Sequence, residues 1–127
     1  MSVTVFDASA ILAIVFDEPG ADRALELLDG GLVSAVNYSE ALAKMIEKGF
    51  IAEEAVEGLA AMTLQLVTFD KAQAEQTARM RKSTVHKGLS IGDRACLALT
   101  ASREGVAVTT DRAWSELDIG VKLEMIR

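Results

Sequence analysis

The chain has 127 residues, of which 50% are hydrophobic and 25% charged, a composition that is ordinary for a globular domain. We therefore expect a single domain over residues 1–127, which excludes a two-lobed enzyme, a disordered tail and a fibrous protein. Thirteen basic and nineteen acidic side chains give a net charge of -6. This charge disfavours a non-specific nucleic-acid coat protein, but it allows a nuclease whose carboxylates hold cations.

Cysteine, histidine and apolar runs exclude further classes of protein. Cys96 and His86 each stand alone, so neither an internal disulfide nor a zinc site is expected. The apolar run at residues 10–16 is far shorter than the roughly 20 residues of a membrane span, and no positive charge precedes it as in a signal peptide. We expect a soluble, cytoplasmic protein with no membrane partner.

Strand and helix patterns alternate along the whole chain. In order they are a strand at 3–6, helices at 8–16 and 21–28, a strand at 32–36, helices at 37–49 and 52–62, a strand at 64–69, a helix at 71–82, a loop at 84–89, a helix at 91–102, a strand at 106–109, a short helix at 111–117 and an edge strand at 121–125. This alternation predicts an α/β fold with three α/β/α layers around a mostly parallel central sheet.

Two helix starts carry capping signals. Asn37 is expected to cap its helix, with Glu40 in the capping-box position three residues later, and Ser90 with Asp93 repeats the arrangement. The helix at 91–102 is apolar on most sides, which indicates a helix packed into the interior.

Four carboxylates lie directly after a predicted strand or in the first turn of a predicted helix. They are Asp7, Glu40, Asp93 and Asp111. Singly, each is explained as a helix cap or capping-box partner worth about 1 kcal/mol. Together they call for another explanation, because a parallel sheet gathers such ends at one edge, where like charges repel. A bound cation relieves that repulsion, and oxygen-only ligands suit Mg²⁺ or Mn²⁺.

Four segments carry a family resemblance. They are V-x-V-F-D-A-S-A at the start, N-Y-S-E-A at 37–41, L-S-I-G-D-R-A-C-L-A-L at 89–99 and V-T-T-D-R-A-W at 108–114. The chain resembles a PIN-domain ribonuclease of the VapC toxin type over nearly its whole length. The resemblance implies a catalytic and metal-binding quartet around Mg²⁺ or Mn²⁺, consisting of Asp7, Glu40, Asp93 and Asp111, with Asp7 and Asp93 foremost.

The resemblance also implies neighbours of the quartet and partners of the protein. Ser9 and Thr110 are expected to line the site as small hydroxyl residues that meet the substrate, and Arg94 to lie beside it. The implied partners are an RNA substrate, a VapB-like antitoxin whose peptide occupies a groove beside the first two helices, and a second copy of the chain in a homodimer.

The residue types themselves suggest how such a site works. A metal lowers the pKa of a water molecule, orients the resulting hydroxide and neutralises charge on the leaving oxygen, so no nucleophilic side chain is needed. A single-metal scheme with a carboxylate as general base is equally compatible.

The local basic cluster has two explanations. It consists of Arg79, Arg81, Lys82, His86 and Lys87. These side chains either steer RNA phosphates or simply complement the dipole at a helix carboxyl end. Arg94 similarly fits a phosphate, an acidic neighbour or a structural ion pair.

Two other functions compete with the nuclease. A receiver-type signalling domain also binds Mg²⁺ at strand ends. Such a domain is expected to have an adjacent acidic pair after its first strand and a lysine before a proline near its end. Here Asp7 has no acidic neighbour, and the sole proline is Pro19. A catalytically silent interaction module on the same fold is the second alternative, and intact acidic positions disfavour it.

Overall fold

The computed structural model describes residues 2–127. The strands are β1 Thr4–Phe6, β2 Leu32–Ser34, β3 Gln65–Val67, β4 Val106–Thr109 and β5 Lys122–Met125. The α-helices are α1 Ala8–Val15, α2 Ala21–Glu26, α3 Ala35–Glu47, α4 Ala52–Ala61, α5 Lys71–Arg79, α6 Arg81–Thr84 and α7 Ile91–Ser102, and short 3₁₀ helices lie at Val85–Lys87 and Arg112–Glu116. None of the helices within residues 2–127 has the length and apolar character needed to cross a membrane.

The strands form one five-stranded sheet in the order β3-β2-β1-β4-β5, and every neighbouring pair is parallel. The expected parallel α/β sheet is therefore confirmed, with β5 at one edge as predicted. The order also excludes the receiver-type alternative, because flavodoxin-like receiver domains follow the order 2-1-3-4-5. In the observed order the carboxyl end of β1 lies between those of β2 and β4, at the centre of one sheet edge.

Side chains that alternate along the strands divide the core into two halves. Phe6 and Val108 face the layer formed by α1 to α4, while Val5 and Ala107 face α7 and the buried Trp114. Alternation follows from the two-residue repeat of a strand, which sends successive side chains to opposite faces. The structure thus has the three layers that the sequence predicts.

The start of α3 differs from the sequence-based prediction. Asn37 is not the N-cap: Ser34 caps the helix, and its hydroxyl accepts a hydrogen bond of 3.2 Å from the N–H of Val36. Ser34 is as good a cap as asparagine, and it ends β2 two residues earlier than expected. Asn37 therefore lies inside the first turn of the helix, where it is buried.

A second difference concerns the segment before α7. The predicted helix at 71–82 ends at Arg79, and α6 begins after Met80. The predicted loop at 84–89 contains a 3₁₀ helix, Val85–Lys87, that closes on Gly88 with a left-handed φ of 64°. Glycine adopts this conformation at little cost, so Gly88 turns the chain into Ser90 and α7.

Candidate active site

Asp7 lies at the centre of the sheet edge, directly after β1. Its carboxylate caps α1, where Oδ1 accepts hydrogen bonds from the N–H of Ala10 at 2.9 Å and the hydroxyl of Ser9 at 2.7 Å. Oδ2 accepts a hydrogen bond of 2.6 Å from the hydroxyl of Thr109, the last residue of β4. Asp7 is only 4% exposed. Both of its oxygens are thus held by fixed donors.

The two hydroxyls that hold Asp7 are themselves held by the backbone after β4. The N–H of Thr110 donates to Oγ of Ser9 at 3.1 Å, and the N–H of Asp111 donates to Oγ1 of Thr109 at 3.0 Å. Each hydroxyl therefore accepts from an amide and donates to the carboxylate. This double relay fixes the position of the chain after β4 relative to Asp7.

Burial dominates the ionisation of Asp7. Desolvation raises the pKa of Asp7 from 3.8 to about 6, although the hydrogen bonds from Thr109, Ser9 and Ala10 oppose the rise, and the negative charge of Asp93 adds to it. A carboxylate that is costly to ionise in the metal-free protein gains stability when a cation compensates its charge.

Glu40 projects from α3 towards the first turn of α7. Nδ2 of Asn37 donates to Oε1 of Glu40 at 3.0 Å and to the carbonyl of Gly92 at 2.9 Å. Desolvation raises the pKa of Glu40, the Asn37 hydrogen bond lowers it, and the charge of Asp93 raises it again. Asp93 therefore repels both Asp7 and Glu40, which shows that the three carboxylates share one electrostatic environment.

Asp93 and Asp111 combine capping with a place in the same cleft. The N–H of Ser90 donates to Oδ2 of Asp93 at 3.0 Å, and the N–H of Asp93 donates to Oγ of Ser90 at 3.1 Å, so the predicted capping box of α7 is confirmed. Asp111 accepts a hydrogen bond of 3.0 Å from the N–H of Ala113. Capping leaves a second carboxylate oxygen on each of these aspartates for another contact.

All four acidic residues line a single cleft of about 240 Å³. Its lining consists of Asp7, Ala8, Ser9, Leu12, Asn37, Glu40, Lys44, Asp93 and Asp111. The structure thus brings together the whole predicted quartet with Ser9. Lys44 is the one basic residue in this lining.

A family comparison decides what this arrangement belongs to. The family model of the PIN domain matches residues 4–120. The chain belongs to the PIN-domain family. The resemblance inferred from the sequence motifs is thereby confirmed, and PIN domains are generally nucleases.

Solved structures of low sequence identity share the fold of this PIN domain. A chain of the DNA-bound VapBC complex from Salmonella typhimurium has a TM-score of 0.75 and 21% identity, with 100% of both chains covered. A chain of VapBC2 from Rickettsia felis, bound to a promoter DNA fragment, has a TM-score of 0.74 and 17% identity, with 97% of this chain and 98% of that chain covered. A chain of VapBC-5 from Mycobacterium tuberculosis has a TM-score of 0.68 and 23% identity, with 100% of this chain and 99% of that chain covered. Direct comparison with curated protein sequences finds no match.

PIN nucleases generally use a divalent metal, and the donors of this cleft fit one. Within residues 2–127, no three Asp, Glu, His or Cys side chains are close enough to enclose an ion by themselves. Mg²⁺ does not require such a cage, since it binds through one or two carboxylates and keeps several waters. Oδ1 of Asn37 is buried and accepts no hydrogen bond from the described part of the chain, which suits a donor such as a water of a hydrated ion.

Two of the predicted substrate residues lie differently from Ser9. Thr110 contributes its backbone N–H to the relay, and the hydroxyl that reaches Asp7 belongs to its neighbour Thr109. Arg94 donates to the carbonyl of Thr77 on α5 at 3.1 Å and does not line the cleft. Substrate contacts of Ser9, Arg94 and Thr110 stay predictions.

Sequence reasoning missed three residues of the site: Asn37 and Lys44, which line the cleft, and Thr109, which is buried and donates a hydrogen bond to Asp7. Strand alternation offered a signal for Thr109, because it lies two residues after Ala107 and so shares its face. Helical spacing offered one for the others, since Asn37 and Lys44 lie three residues before and four residues after Glu40 on the same side of α3.

Proposed function

We propose that this PIN domain is a divalent-metal-dependent endoribonuclease, the toxin of a VapBC-type pair, which acts in the cytoplasm as a single domain over residues 1–127. The observation that carries the proposal is the convergence of Asp7, Glu40, Asp93 and Asp111 on one cleft. Carboxylates that repel one another in a partly desolvated cleft favour a cation, and Mg²⁺ or Mn²⁺ matches their oxygen ligands.

The proposed chemistry divides the roles among the acidic residues. Asp7 and Asp93 hold the ion, with Asp7 kept in place by the hydroxyls of Ser9 and Thr109. When bound, the metal lowers the pKa of the attacking water and neutralises charge on the phosphodiester and its leaving oxygen. Glu40 and Asp111, which are exposed, would complete the metal-binding set, and one carboxylate of the set would accept the proton of the attacking water.

RNA is the proposed substrate, and we expect Lys44 and the basic side chains that precede α7 to favour its phosphates. Lys44 lines the cleft directly. Arg81, Lys82 and His86 are exposed just before α7, which carries Asp93, whereas Lys87 pairs with Glu116 at 3.1 Å. Local cations of this kind allow a chain with a net charge of -6 to bind a polyanion at one point.

The proposed inhibitor is a VapB-like antitoxin, and the proposed assembly is a homodimer. Structural neighbours come from VapBC complexes. Leu25 on α2, 52% exposed, and Ile46 on α3, 43% exposed, offer apolar surface for an amphipathic partner helix. An Arg or Lys of the antitoxin would pair with the acidic cleft and so compete with Mg²⁺.

Total RNA incubated with the purified protein tests this function, with Mg²⁺, with Mn²⁺ and with a chelator in parallel. We expect cuts at defined positions that depend on the metal and that disappear in Asp93→Asn. Mapping of the cut ends identifies the target sequence. Equal cleavage by folded Asp93→Asn would contradict the assignment of the acidic cleft as the catalytic site, and no cleavage of any RNA by the metal-loaded parent would instead support a silent interaction module.

A further inference from the structure

Asn37 joins the two helices that face each other across the cleft. It is 1% exposed, and its single amide nitrogen donates both to Glu40 on its own helix α3 and to the carbonyl of Gly92 on α7. Both partners are acceptors, so the orientation of the amide is fixed by its hydrogen bonds. A change in the position of α7 relative to α3 therefore changes the donor available to Glu40.

Gly92 is needed for space and not for backbone conformation. It is the second residue of α7 and adopts ordinary helical geometry. A methyl group built on its Cα would overlap Oε1, Oε2 and Cδ of Glu40. Alanine is preferred over glycine within helices by about 1 kcal/mol, so helix stability alone would favour alanine here. The carboxylate of Glu40 thus lies against the bare Cα of Gly92.

This position is electrostatically unfavourable for Glu40 without a cation. The carboxylate of Glu40 lies against Gly92, the residue directly before Asp93, so two negative charges are held close together. A glutamate at an exposed rim has several rotatable bonds and would turn away from a like charge into solvent. The hydrogen bond from Asn37 and the space above Gly92 counteract that tendency.

We propose that Asn37 and Gly92 form a cradle that positions the carboxylate of Glu40 beside Asp93 before the divalent cation arrives. Both are positioning residues, and they act through Glu40. The inference rests on the proposed function, because it assigns the cradle to the same metal site. Hydrogen-bonding partners that orient metal-binding groups typically contribute about tenfold to a hundredfold in metal affinity.

Gly92→Ala is the most direct test, with Gly58→Ala as its matched control. Gly58 lies inside α4, and a methyl group there would meet just one atom, Cε of Met45 at 4.0 Å. We expect both variants to fold, since the overlap at Gly92 involves the end of a flexible side chain. Mn²⁺ affinity, measured by calorimetry, should fall about tenfold in Gly92→Ala and stay unchanged in Gly58→Ala.

A crystal structure of metal-free Gly92→Ala adds a measurement that is independent of metal and of activity. We expect the Glu40 carboxylate to leave its position beside Asp93 while α3 and α7 remain in place. A variant in which Glu40 keeps its position and Mn²⁺ affinity equals that of the parent would overturn the cradle.

A double-mutant cycle shows whether the cradle acts through Glu40. In a Glu40→Gln background, Gly92→Ala and Asn37→Ala should each change Mn²⁺ affinity by less than about twofold, because the group they position is already lost. If each substitution lowered Mn²⁺ affinity as much in that background as in the parent, both residues would have a general structural role instead. If Asn37→Ala does not fold, Gly92→Ala completes the cycle alone.

The cradle and the nuclease can fail separately. A parent protein that binds Mn²⁺ but cuts no RNA contradicts the nuclease and leaves the cradle supported by the affinities. A parent that cuts RNA while Gly92→Ala matches it in Mn²⁺ affinity contradicts the cradle alone.

Discussion

The hydroxyl of Thr109 lies 2.6 Å from Oδ2 of Asp7 and joins the carboxyl ends of two neighbouring strands, β4 and the central β1. It also accepts a hydrogen bond of 3.0 Å from the backbone N–H of Asp111. One side chain thus holds the carboxylate of Asp7 and the backbone of Asp111. The hydrogen bond lowers the pKa of Asp7 against the larger effect of burial. Among the hydrogen bonds that favour ionised Asp7, that of Thr109 has the largest effect.

Thr109→Val removes this hydroxyl with little change of shape. We expect the pKa of Asp7 to rise further above its value of about 6, because a donor to the ionised form is lost. Mn²⁺ affinity should then fall about tenfold near neutral pH, and its dependence on pH should move to higher pH. Calorimetry across a pH series measures both.

Thr109→Ser and Thr100→Val are the controls for this prediction. Serine keeps the hydroxyl and should restore most of the affinity. Thr100 is equally buried, but its hydroxyl bonds to the carbonyl of Cys96 within α7, outside the cleft lining. If Thr100→Val shifts the pH dependence as much as Thr109→Val, the effect is general loosening of the core.

Asp7→Asn should stabilise the metal-free protein at neutral pH. The pKa of Asp7 is about 6 in the folded protein against 3.8 as its ordinary value, so its contribution to stability is present below pH 3.8 and is lost as the pH rises through about 6. Asparagine does not titrate, so we expect a gain on the order of 2 to 3 kcal/mol at neutral pH and none near pH 4.

Urea unfolding in chelator at both pH values measures this gain. Excess Mn²⁺ should reverse the order of stability, since the parent alone retains the ligand. A clear destabilisation of Asp7→Asn in chelator at neutral pH would indicate that capping of α1 outweighs the cost of the buried charge.

Lys44→Ala should weaken RNA binding without changing Mn²⁺ affinity. Lys44 lines the acidic cleft, and its ammonium is held just by a contact of 3.7 Å with Glu47. Loss of one phosphate contact on a single strand should reduce the slope of log affinity against log salt by about 0.7. Lys48, at the end of the same helix and outside the cleft lining, supplies the matched Lys48→Ala control. If the two variants had identical slopes of log affinity against log salt, Lys44 would not contact the RNA.

The fold was predictable from the sequence because it depends on periodic patterns. Alternating strand and helix signals gave the parallel sheet, and Ser90 with Asp93 gave the capping box of α7. The start of α3 was not predictable, because Ser34 and Asn37 are both good caps, and the side chain of Asn37 instead bonds to the carbonyl of Gly92, far away in sequence.

The acidic residues of the site were predictable from the sequence, but the residues that hydrogen-bond to them were not. Acidic residues at strand ends converge in any parallel sheet, so Asp7 and Asp111 could be placed together. Strand and helix spacing indicate the faces on which Thr109 and Asn37 lie. Their hydrogen bonds to Asp7 and to the carbonyl of Gly92 join residues far apart in sequence, and spacing alone does not pair such residues. Side-chain support of this kind emerges when the helices pack.

The rate of RNA cleavage by Asp93→Asn under single-turnover conditions tests the central claim most directly. Asparagine retains an acceptor for the capping box, so circular dichroism should show an unchanged fold. We predict a rate lower by on the order of a thousandfold than that of the parent with saturating Mg²⁺, which corresponds to the loss of several kcal/mol of transition-state stabilisation. A folded Asp93→Asn protein that cleaves RNA at a rate close to the parent's would contradict the assignment of the acidic cleft as the catalytic metal site.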